Sequence, residues 1–496
     1  MMASEVLHGV PLSRLLEGLV DVPPTLERHV QDLTLDSRAV TPGACFIALG
    51  GARDDGARYV ADAIARGALA ILAEKPLTGL RPDVPVLVVP GLRTRLGLLA
   101  NRQFDTPSAA LALCAVTGTN GKSSVAHLLA QAADLLGLGG GYVGTLGAGR
   151  IGALAPLANT TPDIVTTNRW LARFRAEGCA VAALEASSHA LDQARLDGLA
   201  LRAAAFTNLS HDHLDYHRSL EDYAAAKQRL FVHPGLGAAV VNVDDPLGQR
   251  IVRTLPPAMP CWTCSSQDAG ARLLASEVVA MPAGMRFTLS LDGARSVVQS
   301  RLAGRFNVDN LLIVAGLLLA TGVACDAVVE LLPRLRGVTG RAEECATSAR
   351  GARVFVDYAH SPDSLAAILA TLRALAPRRI IAVFGCGGDR DRSKRPLMGA
   401  TAERGADCVI VTSDNPRSED PAAIAAEILA GMAAPGAARV VLDRAAAIRA
   451  ALAAGGAGDI VLVAGKGHER TQDIGGVQNA FSDHDEIARA VREQGA

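Results

Sequence analysis

Short apolar runs alternate with helix-spaced segments along most of this chain. The clearest case is the run Ala110–Val116, followed by a glycine-rich turn and then by apolar residues three and four positions apart from Val125 to Ala132. A short apolar run bounded by turn residues is typical of a buried strand, and the second spacing is typical of a helix packed on one face. The pattern therefore predicts a strand, a loop and a helix. Its repetition predicts an α/β protein with mostly parallel sheets.

The alternation is most regular after residues 337–340. Five apolar runs are separated there by alanine-rich helical segments: Val354–Val356, Ile380–Phe384, Cys408–Val411, Val440–Leu442 and Ile460–Val463. Such a series predicts a doubly wound open sheet, which binds ligands at the carboxyl ends of its strands. Charged loops shaped by glycine or proline follow four of these runs, beginning at Asp357, Gly385, Ser413 and Ala464. We expect a ligand site along that edge of the sheet.

The same pattern divides the chain into three parts. A length of 496 residues suggests about three domains. We place an N-terminal α/β domain at 1–106, a central domain around the glycine-rich turn at 107–336, and the doubly wound domain at 337–496.

Composition narrows the classes of function. Hydrophobic residues make up 49% of the chain, which excludes global disorder, and a net charge of −1 gives no indication of a nucleic-acid or anionic-membrane partner. We find no apolar stretch of membrane-spanning length and no signal-peptide order at the N-terminus. The nine cysteines are odd in number and scattered, as is typical of the reducing cytoplasm. Cys261 and Cys264 form a CxxC pair, but no second pair or nearby His accompanies it, which argues against a metal or redox role.

The turn at 118–124 carries the first chemical signal. Gly118 and Gly121 allow backbone N–H groups to approach an anion, the following helix turns its positive end toward it, and Lys122 adds a charge. Ser123 supplies the hydroxyl that a Mg²⁺ ion bridging two phosphates uses. The spacing G-x-x-G-K-S is two residues shorter than the usual phosphate-binding loop, and a plain strand–turn–helix corner is the alternative. The combination favours a protein that hydrolyses or transfers a nucleotide phosphate.

Other stretches are ambiguous from spacing alone. Glu185 ends an apolar run near this turn, where a Mg²⁺ ligand belongs. The segment 207–217 is rich in Asp and His, which we interpret mainly as hydrogen-bonding loop residues because a phosphate site needs hard oxygen ligands. Spacing places Lys227 on a solvated helix face. Asn307 fits a capped helix start and Asp36–Arg38 a capped surface turn.

Twelve motifs occur in one order along the chain. They are LDSR, GTNGKSS, NTTPD, EASSHAL, TNLSHDHLDYH, YAAAKQRLF, GRFNVDN, VDYAHSPDSL, FGCGGDRDRSKRP, SDNPR, GKGHE and FSDHD. Each alone is weak, but in this order and over essentially the whole chain they resemble the Mur ligases of peptidoglycan synthesis. The resemblance implies an N-terminal UDP-binding domain, a central ATPase and a Rossmann-like C-terminal domain for the incoming amino acid.

The resemblance also implies an activity. The D-Glu γ-carboxylate of UDP-N-acetylmuramoyl-L-Ala-D-Glu would take the γ-phosphate of ATP to give an acyl phosphate, and meso-2,6-diaminopimelate would then displace phosphate. ATP is the implied co-substrate and Mg²⁺ the implied cofactor. The implied partners are small molecules, with neither nucleic acid nor membrane, for a monomeric enzyme of the cytoplasm.

By resemblance, the motifs carry residues with expected roles. The set for the UDP-linked substrate is Leu35, Ser37, Ala52, Arg53, Asp54, Asn159, Thr160, Thr161, Ser187, Gln193 and Arg195. The set for ATP is Gly118, Thr119, Asn120, Gly121, Lys122, Ser123, Ser124, Asn307, Arg341, Asp357, Tyr358 and His360. The catalytic set is Lys122, Glu185, His213 and Lys227, and the Mg²⁺ ligands are Ser123, Glu185, His213 and Lys227 as N6-carboxylysine. The set for diaminopimelate is Arg390, Asp414, Asn415, Pro416, Arg417, Gly465 and Glu469.

Two of these assignments have a chemical logic of their own. Adding CO₂ to Lys227 would convert a cation into a carboxylate, a better Mg²⁺ ligand, so here the resemblance reverses the prediction from spacing. Arg417 and Arg390 can bind carboxylates bidentately, and Glu469 can pair with an ammonium group. Lysine ends in a bare ammonium group and would leave an arginine without a carboxylate, so these residues favour diaminopimelate.

Three alternatives remain at this point. One is a lysine-adding sister enzyme and another is a ligase like folylpolyglutamate synthase. The third, from a different class, is a P-loop ATPase that acts as a motor or regulator. Phosphate release that depends on the amino acid would distinguish a ligase from the third.

Overall fold

A computed structural model describes residues 9–50, 55–77, 84–210, 212, 216–281 and 284–495. Within these ranges the N-terminal part contains a four-stranded sheet in which all neighbours are parallel. The strands are β1 (Val10–Pro11), β2 (His29–Val30), β3 (Asp32–Thr34), β4 (Ala44–Ala48), β5 (Ala70–Ala73) and β6 (Val86–Val88). The helices are α1 (Leu12–Leu15), α2 (Val60–Ala65) and α3 (Leu92–Phe104), with 3₁₀ turns at Pro24–Leu26, Ser37–Ala39, Gly56–Tyr59 and Pro107–Ala109. The sheet follows the order β3–β4–β5–β6, and β1 pairs with β2.

The central part contains a ten-stranded sheet. Its strands are β7 (Ala112–Thr117), β8 (Gly140–Gly144), β9 (Gly147–Gly149), β10 (Val181–Glu185), β11 (Ala203–Phe206), β12 (Ala239–Asn242), β13 (Cys261–Ser265), β14 (Leu273–Met281), β15 (Gly284–Leu291) and β16 (Ala294–Ser300). The helices are α4 (Lys122–Leu135), α5 (Ile164–Ala176), α6 (Ser188–Asp192), α7 (Leu220–Gln228), α8 (Pro246–Thr254), α9 (Arg305–Ala320) and α10 (Cys325–Leu331), with 3₁₀ turns at Arg229–Val232 and Leu332–Arg334. The strand order is β16–β15–β14–β13–β12–β11–β7–β10–β8–β9.

The C-terminal part contains a six-stranded sheet and a small hairpin. Its strands are β17 (Glu343–Thr347), β18 (Arg353–Asp357), β19 (Arg379–Phe384), β20 (Cys408–Val411), β21 (Arg439–Val440), β22 (Asp459–Ala464), β23 (Thr471–Ile474) and β24 (Val477–Ala480). The helices are α11 (Pro362–Arg373), α12 (Lys394–Gly405), α13 (Pro421–Leu429), α14 (Arg444–Ala454) and α15 (Asp483–Gly495), with a 3₁₀ turn at Pro435–Ala437. The sheet has the order β17–β18–β22–β19–β20–β21, and β23 pairs with β24.

The buried side chains explain why the strands read as continuous apolar runs. Successive residues of β7 alternate between two core clusters, with Leu113 and Ala115 on one face of the sheet and Cys114 and Val116 on the other. Both faces are covered, so neither shows the polar alternation of a half-exposed sheet. One of these clusters also contains residues of the N-terminal sheet, such as Leu33, so the two parts share a core. In the described ranges, none of the helices combines the length and apolar character that crossing a membrane requires.

The predicted α/β class and the mostly parallel sheets are confirmed, and the structure adds antiparallel strands at two places and corrects the predicted start of one helix. The central sheet ends in antiparallel strands, β14 to β16, which alternate too irregularly to have been recognised from sequence. An antiparallel edge strand, β17, adds to the five predicted C-terminal strands. Helix α9 begins at Arg305, so Asn307 lies within it, and Gly304 at the N-cap contributes no side-chain cap.

The Asp36–Arg38 segment forms the capped turn that spacing predicted. The Asp36 carboxylate accepts a hydrogen bond from the Arg38 backbone N–H at 2.9 Å and another from its Nε at 2.9 Å. Ser37 between them is buried, with 5% of its surface exposed.

Candidate active site

The glycine-rich turn joins β7 to α4, as predicted. Gly118 and Gly121 have φ angles of +145° and +87°. A Cβ atom on Gly118 would lie 1.8 Å from Thr207 Oγ1, and one on Gly121 would lie 2.6 Å from Asn310 Oδ1. Backbone conformation and close approach therefore both require glycine here. The turn ends at the amino terminus of α4, where N–H groups and the helix dipole stabilise an anion.

Two lysine side chains meet at this turn. Lys122 Nζ donates to the carbonyl oxygens of Gly118 and Thr119 at 2.9 and 2.8 Å, and Lys227 Nζ donates to the same Gly118 oxygen at 2.7 Å. Lys227 is 1% exposed, and its Nζ lies 4.2 Å from the centre of the Tyr223 ring. Burial, and next the charge of Lys122, hold the pKa of Lys227 well below its ordinary value. The solvated position that spacing predicted is wrong, because α7 packs this face against the turn.

A fully buried carboxylate lies beside the lysines. Glu185 ends β10, opposite Val116 in the neighbouring strand, and its side chain has no exposed surface. Its Oε2 accepts hydrogen bonds from Ser123 Oγ at 2.9 Å and Thr145 Oγ1 at 3.1 Å. Its Oε1 accepts from Tyr142 Oη at 2.5 Å and from the Thr145 backbone N–H at 3.0 Å. Four donors therefore hold this carboxylate in one orientation. They also supply the hydrogen bonds without which burying a charged group would be costly.

The described donors fit Mg²⁺ better than a transition metal. Ser123 and Glu185 offer a hydroxyl and a carboxylate, which are hard oxygen ligands, and Mg²⁺ commonly takes one or two protein ligands together with substrate phosphates. Among the described residues, no three His, Cys, Asp or Glu side chains are grouped to hold a metal ion. His213, which the resemblance places among the ligands, lies outside the described residues. We call Lys122, Ser123, Glu185 and Lys227 the phosphate centre.

A cavity of about 1150 Å³ opens over the phosphate centre. Six residues predicted to meet the UDP-linked substrate line it: Asn159, Thr160, Thr161, Ser187, Gln193 and Arg195. Arg195 Nη1 donates to the Thr161 carbonyl at 2.6 Å, and Thr161 Oγ1 donates to the Glu185 carbonyl at 2.6 Å. Arg195 and Thr161 are thus hydrogen-bonded in series to the strand that carries the Glu185 carboxylate.

The remaining residues of that predicted set belong to the N-terminal part. Leu35 and Ser37 do not line this cavity in the described structure, and Ser37 is buried beneath the capped turn before β4. Ala52, Arg53 and Asp54 fall outside the described residues. Their predicted role therefore remains a prediction.

The C-terminal part supplies the opposite wall of the cavity. Arg341 donates from Nη2 to Ser123 Oγ at 3.2 Å, and its guanidinium carbon lies 4.2 Å from the centre of the Tyr358 ring. Asp357 accepts from the N–H groups of Ala342 and Ala359 at 2.6 and 2.7 Å, and burial raises its pKa. Arg341, Asp357, Tyr358, His360 and Arg390 all line the cavity. Four residues of the predicted ATP set, Arg341, Asp357, Tyr358 and His360, therefore face the same cavity as the phosphate-binding turn of the central part.

Asn307, unlike most residues predicted to meet ATP, does not face the cavity, whereas Asn310, one helical turn further along α9, does. Asn310 Nδ2 donates to Asn307 Oδ1 at 3.1 Å, and Asn307 Nδ2 donates to the Ala303 carbonyl at 2.8 Å. Asn307 therefore orients Asn310, which sequence reasoning did not select.

The residues predicted to meet diaminopimelate form a second group beside the cavity. Arg390 lines the cavity, while the other six lie in loops after β20 and β22; we call these six the rim cluster: Asp414, Asn415, Pro416, Arg417, Gly465 and Glu469. Asn415 Nδ2 donates to Glu469 Oε2 at 2.9 Å. A Cβ atom on Gly465 would lie 2.4 Å from Asp414 Oδ2, so glycine allows these two loops to touch.

Sequence reasoning missed a lysine in this group. Lys466 is fully buried and donates from Nζ to Asn415 Oδ1 at 3.0 Å and to Glu469 Oε2 at 2.7 Å. The available signal was composition. Only five of the 49 basic residues are lysines, and three of them, Lys227, Lys394 and Lys466, are buried. An ammonium group is a more compact charge than a guanidinium, so the rarity of lysine in this chain was the signal that singles out Lys466. Tyr142 and Thr145 had no comparable signal.

Three family models together match most of the chain. Residues 29–104 match the model described as Mur ligase family, catalytic domain; residues 116–318 match the Mur ligase middle domain; and residues 340–467 match the Mur ligase, glutamate ligase domain. A protein of Xanthomonas campestris pv. campestris named UDP-N-acetylmuramoyl-L-alanyl-D-glutamate--2,6-diaminopimelate ligase is 48% identical over 489 residues, which is 98% of each chain.

Solved structures of Mur ligases are also similar to this chain. A structure of a UDP-N-acetylmuramoyl-L-alanyl-D-glutamate--2,6-diaminopimelate ligase superposes with a TM-score of 0.68 at 36% identity, covering 98% of this chain and 100% of the other. The MurF ligase of Thermotoga maritima, solved in complex with ADP, shares the fold at 16% identity with a TM-score of 0.65, covering 95% of this chain and 99% of the other.

Proposed function

Because this chain belongs to the Mur ligase family, we propose that it joins meso-2,6-diaminopimelate to the D-Glu γ-carboxylate of UDP-N-acetylmuramoyl-L-Ala-D-Glu, with ATP converted to ADP and phosphate. One observation carries the proposal. A single cavity brings together the phosphate-binding turn, the buried Glu185 and the substrate-side residues Thr160, Thr161 and Arg195, and arginines of the C-terminal domain close it from the other side.

The reaction has two steps. The D-Glu carboxylate oxygen attacks the γ-phosphorus of ATP, the bond to the β-phosphate oxygen breaks, and an acyl phosphate and ADP result. The amine nitrogen of diaminopimelate then attacks the acyl carbon, loses a proton and displaces inorganic phosphate. The first step places negative charge on phosphoryl oxygens, and the second places it on the acyl oxygen and then on the departing phosphate. Lys122, the loop N–H groups and Arg341 are positioned to stabilise that charge.

We propose that Ser123 and Glu185 hold Mg²⁺, with Lys227 as its carbamate and His213 completing the set. When bound, the ion would offset the negative charge of the phosphate groups. The geometry around Lys227 supports its modification. Its ammonium group competes with Lys122 for one carbonyl oxygen in a buried site, and its lowered pKa favours the neutral amine, which is the form that reacts with CO₂. The carbamate would replace repulsion between two cations with attraction.

The rim cluster supplies selectivity in this proposal. Its arginine, Arg417, together with Arg390 suits the carboxylate of the second amino-acid head of diaminopimelate, and Glu469 suits its ammonium group. We further propose a monomer that works in the cytoplasm. All nine cysteines are free, as expected in a reducing compartment.

Phosphate release tests the proposal. With ATP, Mg²⁺ and the UDP-linked dipeptide present, we expect release to require meso-diaminopimelate and to yield a UDP-linked tripeptide detectable by mass spectrometry. L-Lysine should support it poorly. Lys122→Ala serves as the background, because its phosphate-binding turn lacks the charge. Release that is equal with and without any amino acid would contradict a ligase and favour an ATPase.

A further inference from the structure

Two loops of the C-terminal domain interlock at the rim. One follows β19 and the other follows β20. Gly388 N–H donates to the Asn415 carbonyl at 2.9 Å, and Arg417 Nη1 donates back to the Gly388 carbonyl at 2.6 Å. Ser418 Oγ donates to Asp389 Oδ1 at 2.6 Å. The loop that carries Arg390 is thus fastened to the loop that carries Arg417.

The backbones of these loops approach as closely as glycine permits. A Cβ atom on Gly388 would lie 1.9 Å from the Pro416 carbonyl oxygen. Asp389 and Arg417, on opposite sides of the contact, both have left-handed φ angles, +52° and +51°. Non-glycine residues stay in that region only where the surroundings fix them. The contact must therefore be held by something besides the loops themselves.

A buried arginine lies directly beneath the contact. Arg395, at the start of α12, has no exposed surface. Its Nη1 and Nη2 donate to the two carboxylate oxygens of Glu419 at 2.9 and 2.8 Å, and Nη2 also donates to the Gly387 carbonyl at 3.2 Å. Nη1 bonds Glu427 on α13 at 2.9 Å. Glu419 in turn accepts from the Asp389 N–H at 2.6 Å. One guanidinium therefore binds a residue of each loop.

We propose that Arg395 and Glu419 are positioning residues for the amino-acid substrate: they hold the two loops in the register that aims Arg390 and Arg417 at its second carboxylate. This inference rests on the proposed function and extends it to residues that do not themselves reach the ligand. A planar guanidinium with several fixed donors suits the task, because an ammonium group cannot reproduce the bidentate pairing. The Arg395 pairing also lowers the pKa of Glu419 to about 2, so the pair is charged throughout the working range.

The chain offers a matched control in the same sheet, at the amino ends of the strands, whereas the rim lies at their carboxyl ends. Asp459, at the beginning of β22, is buried and accepts from Arg378 and Arg379, at 2.8 Å each. It is a charge-paired carboxylate of the same domain, but it lies at the end of the strand opposite to the rim. Loss of its charge should lower stability without moving the rim loops.

The experiment compares Glu419→Gln with Asp459→Asn in the full-length enzyme. KM for meso-diaminopimelate is measured by phosphate release at saturating ATP and UDP-dipeptide, and diaminopimelate binding is measured by calorimetry. We expect Glu419→Gln to raise KM by about 10- to 100-fold, the loss typical of ångström-scale misplacement. KM for ATP should stay within twofold of wild type. Arg395→Lys should fall between wild type and Arg395→Met, and Gly388→Ala, which separates the loops without altering a charge, should raise the same KM.

If Glu419 only stabilised the fold, the two variants would give a different result. If Glu419→Gln and Asp459→Asn lower the thermal midpoint alike and leave KM for diaminopimelate at the wild-type value, the positioning role is wrong. A wild-type enzyme that releases phosphate without regard to diaminopimelate would overturn the proposed function and this inference together. If phosphate release by the wild type depends on diaminopimelate but the variants keep the wild-type KM, only the inference is overturned.

Discussion

The phosphate centre and the rim cluster both hold charged groups in fixed positions, but they do so differently. At the phosphate centre, hydrogen bonds from Ser123, Tyr142 and Thr145 converge on one buried carboxylate at a strand end. At the rim, the charged side chains lie on loops that hold one another through backbone contacts and the buried Arg395. The first arrangement is rigid because a sheet carries it, whereas the second depends on a few contacts between loops.

In the proposed function, this difference separates chemistry from selectivity. Phosphoryl transfer makes the same demands whichever amino acid follows, so its residues belong on the rigid sheet. Discrimination between diaminopimelate and lysine depends on the placement of a carboxylate partner, which loops can supply and adjust. We therefore expect changes at the phosphate centre to reduce turnover with any amino acid, and changes at the rim to act on one substrate.

The largest effect is expected at Glu185. Glu185→Gln removes the charge that four donors orient toward the phosphate-binding turn, and we expect kcat to fall by about a hundredfold or more. Steady-state phosphate release over a Mg²⁺ titration checks it, with the exposed Glu177→Gln as the control. A kcat within threefold of wild type would show that this carboxylate does not serve the reaction.

The next effect concerns Lys227. Because burial and Lys122 lower its pKa, its amine should become neutral and reactive toward CO₂ at a lower pH than an exposed lysine requires. We expect activity to fall in CO₂-free buffer and to return with bicarbonate, whereas bicarbonate should leave the reduced activity of Lys227→Ala unchanged. Isotope-labelled bicarbonate should give a carbamate NMR signal in wild type and in the exposed-lysine control Lys75→Ala. The same signal in Lys227→Ala would place the modification elsewhere.

A smaller effect is expected at Arg417. Arg417→Lys keeps the charge but loses the bidentate fork, and a charge-assisted hydrogen bond contributes about 1.5–3 kcal/mol. KM for diaminopimelate should therefore rise by about 10- to 150-fold, while KM for ATP stays unchanged. Arg439→Lys, an exposed arginine on β21, is the matched control. Equal KM values in both variants would remove Arg417 from the substrate site.

The smallest effect is on acid stability. Glu419 has a pKa of about 2 when folded, below its ordinary 4.5, because Arg395 donates to it. Its charge therefore stabilises the fold fully above pH 4.5 and progressively less as the pH falls toward 2. Wild type should exceed Glu419→Gln in thermal midpoint by about 2–4 °C at pH 7, and the gap should narrow below pH 4.5. A gap that widens on acidification would contradict this sign.

Contiguous motifs made the phosphate centre predictable from sequence. The turn from Gly118 to Ser124, and Glu185 after an apolar run, each follow from local pattern and the chemistry of phosphate. Lys227 required the resemblance, because its burial is a property of how α7 packs and no spacing expresses it. Tyr142, Thr145 and Arg395 were not predicted from the sequence for a related reason. They act through hydrogen bonds to residues distant in sequence, and the order of the chain does not encode such contacts.

The division between chemistry and selectivity can be tested by one ratio. The value of kcat/KM for meso-diaminopimelate divided by that for L-lysine is measured in wild type, Glu185→Gln and Arg417→Lys. We predict that Glu185→Gln lowers both values and leaves the ratio unchanged, whereas Arg417→Lys lowers the ratio by at least tenfold. A ratio that falls in Glu185→Gln, or that survives in Arg417→Lys, would contradict the assignment of selectivity to the rim cluster.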